Sequence, residues 1–136
     1  MKIFICCSKH IYSQIPPIKE LLDDLGHEVT FPNSYDNPGR EEEIRAMSAE
    51  EHRIWKADMI RLQEEKVRAN DAILVLNMEK HGIPNYIGGA TFLEMFKAFE
   101  LGRPIYLWNE IPEGILRDEI QGFGPKVINR DVSIIG

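Results

Sequence analysis

The sequence predicts an α/β fold, a parallel sheet covered by helices on both faces, and three observations carry that expectation. Short apolar runs at Lys2 to Cys6, Ala72 to Leu76 and Pro104 to Trp108 lack the polar alternation of a half-exposed strand, so both faces of each should be buried. Between them lie segments with apolar residues at helical spacing, as the crossovers of a parallel sheet require. Glycine, proline and asparagine punctuate the joints between the two kinds of segment.

Taken in order, Lys2 to Cys6 is the first strand. Ile15 to Leu25 reads as a helix with Ile18, Leu21, Leu22 and Leu25 on one face. Pro16 and Pro17 fall in its first turn, where a missing N–H is harmless, and Gly26 ends it. His27 to Phe31 is a second strand stopped by Pro32, and Asn33 to Gly39 is a polar loop of turn formers. Glu41 to Ala69 is highly charged, yet Ile44, Met47, Trp55, Met59 and Leu62 recur at helical intervals. This is one broken helix or two on the outside of the sheet, closed by Asn70 and Asp71. Ala72 to Leu76 is the third strand, and Thr91 to Leu101 is a helix entered through Gly88 and Gly89. Gly102 and Pro104 introduce the fourth strand, Pro104 to Trp108. A short helix around Glu113 to Ile120 and a small strand at Val127 and Ile128 finish the chain.

No repeat, low-complexity tract or linker divides residues 1–136, so one domain is expected. Its strand order should be the flavodoxin-like 2-1-3-4-5, a doubly wound five-stranded sheet. The first and third strands are then neighbours where the winding reverses, and ligands bind at that point.

At 136 residues, with 43% hydrophobic and 28% charged residues, the chain can bury a single substantial core. A formal charge of −6, with basic residues scattered among acids, argues against a nucleic-acid polymer or an anionic membrane as the main partner, while leaving room for a small anion. The two cysteines, Cys6 and Cys7, are adjacent and so lack both zinc spacing and Cys-x-x-Cys spacing; they read as reduced thiols at a strand end. His10, His27, His52 and His81 show no metal-ligand spacing, and no metal or redox cofactor is expected. No secretory leader and no run long enough to span a bilayer is visible, which suggests a cytoplasmic protein.

Chemistry concentrates at Gly88-Gly89-Ala90-Thr91-Phe92-Leu93-Glu94. Two permissive glycines let the backbone approach a ligand, and the free N–H groups of a helix start favour negative charge. Placed in the first helical turn, Glu94 would stay ionised beside those N–H groups. A carboxylate at the end of a small pocket can stabilise or trap the oxocarbenium-like state of glycosidic cleavage, which makes Glu94 a candidate nucleophile. The competing explanation is structural, because Thr91 followed by Glu94 is also a capping box.

Other candidates surround it. Ser8 and Lys9 leave the first strand, where a hydroxyl, an ammonium and turn N–H groups can hold phosphate or a sugar hydroxyl; Ser8 can equally bond its own backbone. Asn77 and Asn109 leave the third and fourth strands at the same edge, as ligand contacts or as turn residues. Tyr86 can stack on a base or simply fill the wall. Asp71 starts its strand and belongs at the opposite edge, while Asp58 lies beside Trp55 and Leu62 and either faces the site or the solvent.

Several of these stretches resemble a known superfamily. Lys2 to Ser8, Leu25-Gly26-His27-Glu28-Val29 with Pro32, Asn70 to Asn77, and Gly88 to Glu94 with Gly102 to Leu107 are similar to the nucleoside 2-deoxyribosyltransferase-like proteins. That superfamily includes deoxyribosyltransferases and 2′-deoxynucleoside 5′-phosphate N-hydrolases, with a flavodoxin-like sheet and a Glu nucleophile acting on C1′ of the sugar. Glu94 matches that Glu by position. Ser8 matches a Gly-Ser pair that contacts sugar or phosphate, with Cys7 in place of the glycine. The transferases carry an aspartate six positions before the nucleophile, where this chain has Gly88, so the resemblance leaves protonation of the base unassigned and ranks hydrolysis above transfer. The Gly-Gly and Thr-x-x-Glu pattern also resembles the cytokinin-activating phosphoribohydrolases, which have one more residue between Gly-Gly and Thr.

The resemblance therefore implies an N-glycosidase acting on a nucleoside 5′-monophosphate or nucleoside, with Glu94 as nucleophile. Substrate contacts are expected from Ser8, Lys9, Asn77, Tyr86, Gly88, Gly89, Thr91 and Asn109. A deoxyribosyltransferase and a non-catalytic nucleotide or nucleotide-sugar binding module are the rivals. Relatives often complete their pockets with a neighbouring subunit, so a homodimer or larger is expected, with Trp55, Met59 and Trp108 as interface candidates.

Overall fold

A computed structural model describes all of residues 1–136. Five parallel strands, β1 (Lys2–Cys6), β2 (Glu28–Thr30), β3 (Ala72–Val75), β4 (Ile105–Leu107) and β5 (Lys126–Val127), stand in the order β2-β1-β3-β4-β5. The expected order and the single parallel sheet are therefore present. Register is direct: Phe4 lies beside Thr30 on one side and Ile73 on the other, and Val75 pairs with Leu107.

The apolar runs are continuous because each strand feeds two cores. Alternate side chains of β1 point to opposite faces. Ile3 and Ile5 join one layer with Ile15, Ile18 and Leu22 of α1 (Ile15–Asp24). Phe4 and Cys6 join the other, with residues of α3 (Ala49–Ala69), α4 (Gly89–Glu100) and α5 (Arg117–Phe123). Every residue of β3 is buried. A fully buried Ile or Leu contributes about 1.5–3 kcal/mol, which makes these two layers the main source of stability.

Local signals set the helix ends. After α1 the chain reverses through Gly26 at φ +87, a left-handed conformation that glycine adopts without penalty, and the His27 N–H bonds the Leu22 carbonyl at 3.0 Å. The charged stretch is two helices: α2 (Arg40–Met47) and α3 are separated at Ser48, which is extended and whose hydroxyl accepts from the Glu51 N–H at 3.0 Å. Asn70 stops α3, donating to the Lys66 carbonyl at 2.7 Å and accepting from the Thr30 hydroxyl at 3.2 Å. Asp71 lies at the amino edge of the sheet and accepts the Lys2 N–H at 2.7 Å, as expected for that position.

Several boundaries differ from the sequence reading: the last helix lies at Arg117–Phe123 rather than around Glu113 to Ile120 and the last strand at Lys126–Val127, and two further differences bear on the site. The loop after β1 is wound into a 3₁₀ helix, Lys9–Gln14, before α1 begins. The helix carrying Glu94 starts at Gly89 rather than Thr91, because the Phe92 N–H bonds the Gly88 carbonyl at 2.9 Å and brings the glycine pair into the helix start. Thr91 therefore lies in the first turn and caps nothing, and Glu94 belongs to the second turn. The capping-box alternative is not what the residues form.

Candidate active site

The loops leaving the carboxyl edge of β1, β2 and β3 enclose a cavity of about 230 Å³, just below the roughly 300–1,000 Å³ of ordinary ligand pockets. Glu41 of α2 and Trp55, Lys56, Met59 and Gln63 of α3 form another part of its wall. The order β2-β1-β3 places these loops side by side where the winding reverses, the position from which doubly wound sheets bind ligands.

Glu94 forms part of the cavity wall, with only 7% of its surface exposed. It is not folded back onto its own backbone: the groups acting on its carboxyl are the Cys6 thiol and the Lys66 ammonium, and no backbone N–H is among them. Burial outweighs both and pushes the Glu94 carboxyl up to about 8. This corrects the expectation that the helix N-terminus keeps it ionised, since one turn into α4 the loss of water dominates. Burial, then the charge of Glu94, pushes the Cys7 thiol up to about 12, and Cys6 is raised in the same way. Both are free and protonated, matching the reading of reduced thiols at a strand end.

Ser8, Lys9, Tyr86, Gly88, Gly89, Thr91 and Glu94 are brought together in the wall of this one cavity. The Tyr86 N–H donates to the Met78 carbonyl at 3.1 Å, and the phenol end of its ring lies beside Gly88. A Cβ on Gly88 would approach the phenol oxygen to 3.2 Å, so a side chain here would push the Tyr86 ring aside by a few tenths of an ångström. The ammonium of Lys80 lies 4.6 Å from the centre of the Tyr86 ring. Beside it, His10 and His81 meet edge to face at 4.9 Å. Loss of solvent and the charges of Lys80, His81 and Lys9 push the His10 imidazole down. One end of the cavity is thus basic, and the α4 N-terminus beside it carries no side-chain cap.

Asn77 and Asn109 are elsewhere, which corrects their assignment as ligand contacts. Asn77 is fully buried and donates to the Asn109 and Glu110 carbonyls at 3.1 and 2.9 Å, while its carbonyl accepts the Asn109 N–H at 2.9 Å. Asn109 returns a bond to the Asn77 carbonyl at 3.1 Å and accepts from Arg130. Their amides satisfy the backbone where β3 and β4 end, and neither lines the cavity.

The expected interface residues are also placed differently. Trp55 and Met59 line the cavity from α3, and Trp108 is buried in the first core layer. Asp58 faces solvent and pairs with Arg61 at 3.2 Å.

Residues beyond those expected complete the wall. Glu41 accepts from His52 at 2.9 Å, Arg45 at 3.2 Å and Lys56 at 3.3 Å; burial opposes its charge, but these donors outweigh it and hold the carboxyl below its ordinary range. Glu42 pairs with Lys9 at 2.8 Å, fastening α2 to the loop after β1. Gln63, nearly buried, donates to the Ala90 carbonyl at 3.3 Å and ties α3 to the first turn of α4. Asn33, one residue past the proline that ends β2, donates to the Met59 carbonyl at 2.9 Å. Its signal was present in the sequence, because strand order 2-1-3 brings whatever follows β2 to this edge. The α3 residues had no such signal. No cluster of three or more His, Cys, Asp or Glu side chains is arranged to hold a metal ion, and no helix is long and apolar enough to cross a membrane.

No family model and no curated protein sequence matches the chain. Among solved structures, the fold is similar to that of a 2-deoxyribosyltransferase from the psychrotolerant bacterium Bacillus psychrosaccharolyticus, characterised as a biocatalyst for nucleoside synthesis. The TM-score is 0.59 and the identity 20%, over 90% of this chain and 81% of that one. The chain therefore has a nucleoside 2-deoxyribosyltransferase-like fold.

Proposed function

We propose that the protein is an N-glycosidase that cleaves the bond between base and sugar of a nucleoside 5′-monophosphate or nucleoside, with Glu94 as nucleophile. The observation that carries this reading is a nearly buried carboxyl, held by no backbone donor, in the wall of a cavity at the carboxyl edge of a parallel sheet. Similarity of fold to a deoxyribosyltransferase supports the same class of bond.

In the reaction, a Glu94 carboxylate oxygen bonds to C1′ as the bond from C1′ to the base nitrogen breaks, and the base leaves with the electron pair and takes a proton from solvent. Water then attacks C1′, its proton returning to solvent, and Glu94 departs as carboxylate. Since the ionised form attacks, the carboxyl must first lose its proton, which burial holds up to about 8. Gly88 presents no carboxylate to receive or donate a proton at the base, and this favours water over a second base as acceptor. Transfer to an acceptor base is the second reading, favoured by the likeness to a transferase; it uses the same glycosylated Glu94.

Orientation follows from the charge distribution. Ser8, Lys9 and Lys80 at the basic end, with the uncapped start of α4, take the phosphate, while Tyr12, Trp55 and Met59 offer apolar surface to the base. Glu94 faces the pentose between them. We place an interface between copies of the chain on the exposed Leu93, Phe96 and Phe99 of α4 with Ile60 of α3.

A panel of nucleosides and nucleoside monophosphates, followed for free base by chromatography, tests the reading. Wild type should release base and Glu94→Gln should not. Tight binding without release by either protein would favour a binding module.

A further inference from the structure

Lys66 brings a positive charge close to the second core layer without spending it on a carboxylate. It projects from α3 and is partly buried. Its ammonium donates to the Phe31 carbonyl at 2.9 Å and lies 5.9 Å from the centre of the Phe4 ring. Phe4 and Cys6 point to the same face of β1, and the Cys6 thiol is the neighbour of the Glu94 carboxyl. One turn before Lys66, Gln63 bonds the Ala90 carbonyl, one turn before Glu94. The Gln63 and Lys66 edge of α3 therefore runs alongside the Ala90 and Glu94 edge of α4.

Few charged groups share that space. The titratable groups around Glu94 are Cys6 from β1, Cys7 just after it, Tyr12 from the 3₁₀ helix and Lys66 from α3, with Asp36 of the β2–α2 loop and Glu41 of α2 farther out. Burial raises both thiols and the phenol, so they are neutral near pH 7. The ammonium is the one cation acting on Glu94. Gln63, whose side-chain amide donates a hydrogen bond to the Ala90 carbonyl between the two helices, carries no charge.

We propose that Lys66 is a positioning residue for Glu94, a partly buried cation on α3 that favours the charged carboxylate on which attack at C1′ depends. The inference rests on the reading of Glu94 as nucleophile. Burial raises the carboxyl and so lowers the share of carboxylate at any pH, and a cation in a poorly solvated layer is the means of opposing it. Binding a phosphorylated substrate adds negative charge to the cavity, which makes a retained cation behind Glu94 more important still.

The test titrates Glu94 directly, by carboxyl ¹³C NMR, in wild type, Lys66→Met and Lys66→Arg. Met keeps the aliphatic stem and removes the charge, and Arg keeps the charge. The Glu94 inflection should move up by about one pH unit in Lys66→Met and stay in Lys66→Arg. The rising limb of kcat/KM should move with it, giving about a tenfold loss at pH 7 and none on the alkaline plateau. An inflection unmoved by Lys66→Met overturns the proposal. If that variant does not fold, the coupling is read from the other side, because interaction between two groups is reciprocal. Glu94→Gln should then lower the titration of the Lys66 ammonium, followed by ¹⁵N NMR, and an unchanged ammonium overturns the proposal equally. A shifted Glu94 in a protein that releases no base would leave the charge coupling standing and remove the glycosidase reading.

Discussion

Asn77 and Asn109 bind each other through three hydrogen bonds of 2.9–3.1 Å, side chain to backbone in both directions, where β3 and β4 leave the sheet. The pair replaces the backbone ladder at the point where the strands stop, so the next loop can diverge without abandoning polar groups in the core.

Asn77→Ala should accordingly destabilise the fold by about 2–4 kcal/mol, because it leaves the backbone of Asn109 and Glu110 without partners in a buried place. Chemical denaturation measures the loss. Base release per folded molecule should be unaffected at temperatures well below melting. Full stability with lost activity would instead restore Asn77 to the site.

Stability should also depend on Glu94 and pH. Its carboxyl titrates near 4.5 in the unfolded chain and near 8 when folded, so between those values the folded state holds the extra proton. The contribution is fully present below pH 4.5 and is lost as pH rises through 8, a total of roughly 4–5 kcal/mol. Glu94→Gln removes the penalty. Its advantage over wild type in urea unfolding should be near zero at pH 4.5 and reach a few kcal/mol at pH 9. A constant difference across that range would contradict the burial of this carboxyl.

Lys80 lies over the Tyr86 ring at the basic end of the cavity. Lys80→Ala should raise KM for a nucleoside monophosphate by roughly tenfold to a hundredfold, the worth of one charge-assisted bond, and leave KM for the matching nucleoside nearly unchanged. An equal rise for both substrates would place the phosphate elsewhere.

Self-association is tested by light scattering. Wild type should give a mass of at least two chains, and Phe96→Glu, which puts a charge on the exposed apolar face of α4, should give one. A wild-type mass of one chain removes the interface.

Much of the architecture was legible because strands buried on both faces leave an unbroken apolar signature. Ala72 to Val75 could scarcely be anything else. Proline and glycine fixed the ends of α1, and alternation of strands with helices implied the parallel sheet, for which 2-1-3-4-5 is one of two common doubly wound orders. Ser8, Lys9, Tyr86, Gly88 and Glu94 converge because strand order dictates which loops meet. The state of Glu94 was not legible, since burial by α3 is a tertiary fact and spacing within α4 says nothing of it. The Asn pair misled for a related reason: a polar residue after a strand looks the same whether it turns outward to a ligand or inward to an open backbone. Trp55 and Met59 suggested an interface because relatives often complete their pockets with a neighbouring subunit, and only the placement of α3 along the cavity gives those side chains another use.

The most direct measurement is the mass of the protein itself, taken on a reaction with a nucleoside 5′-monophosphate quenched in acid within a turnover. Wild type should carry an adduct equal to the sugar phosphate on the peptide containing Glu94, and Glu94→Gln should carry none and release no base. Base released without any adduct on that peptide, or released undiminished by Glu94→Gln, would contradict the account.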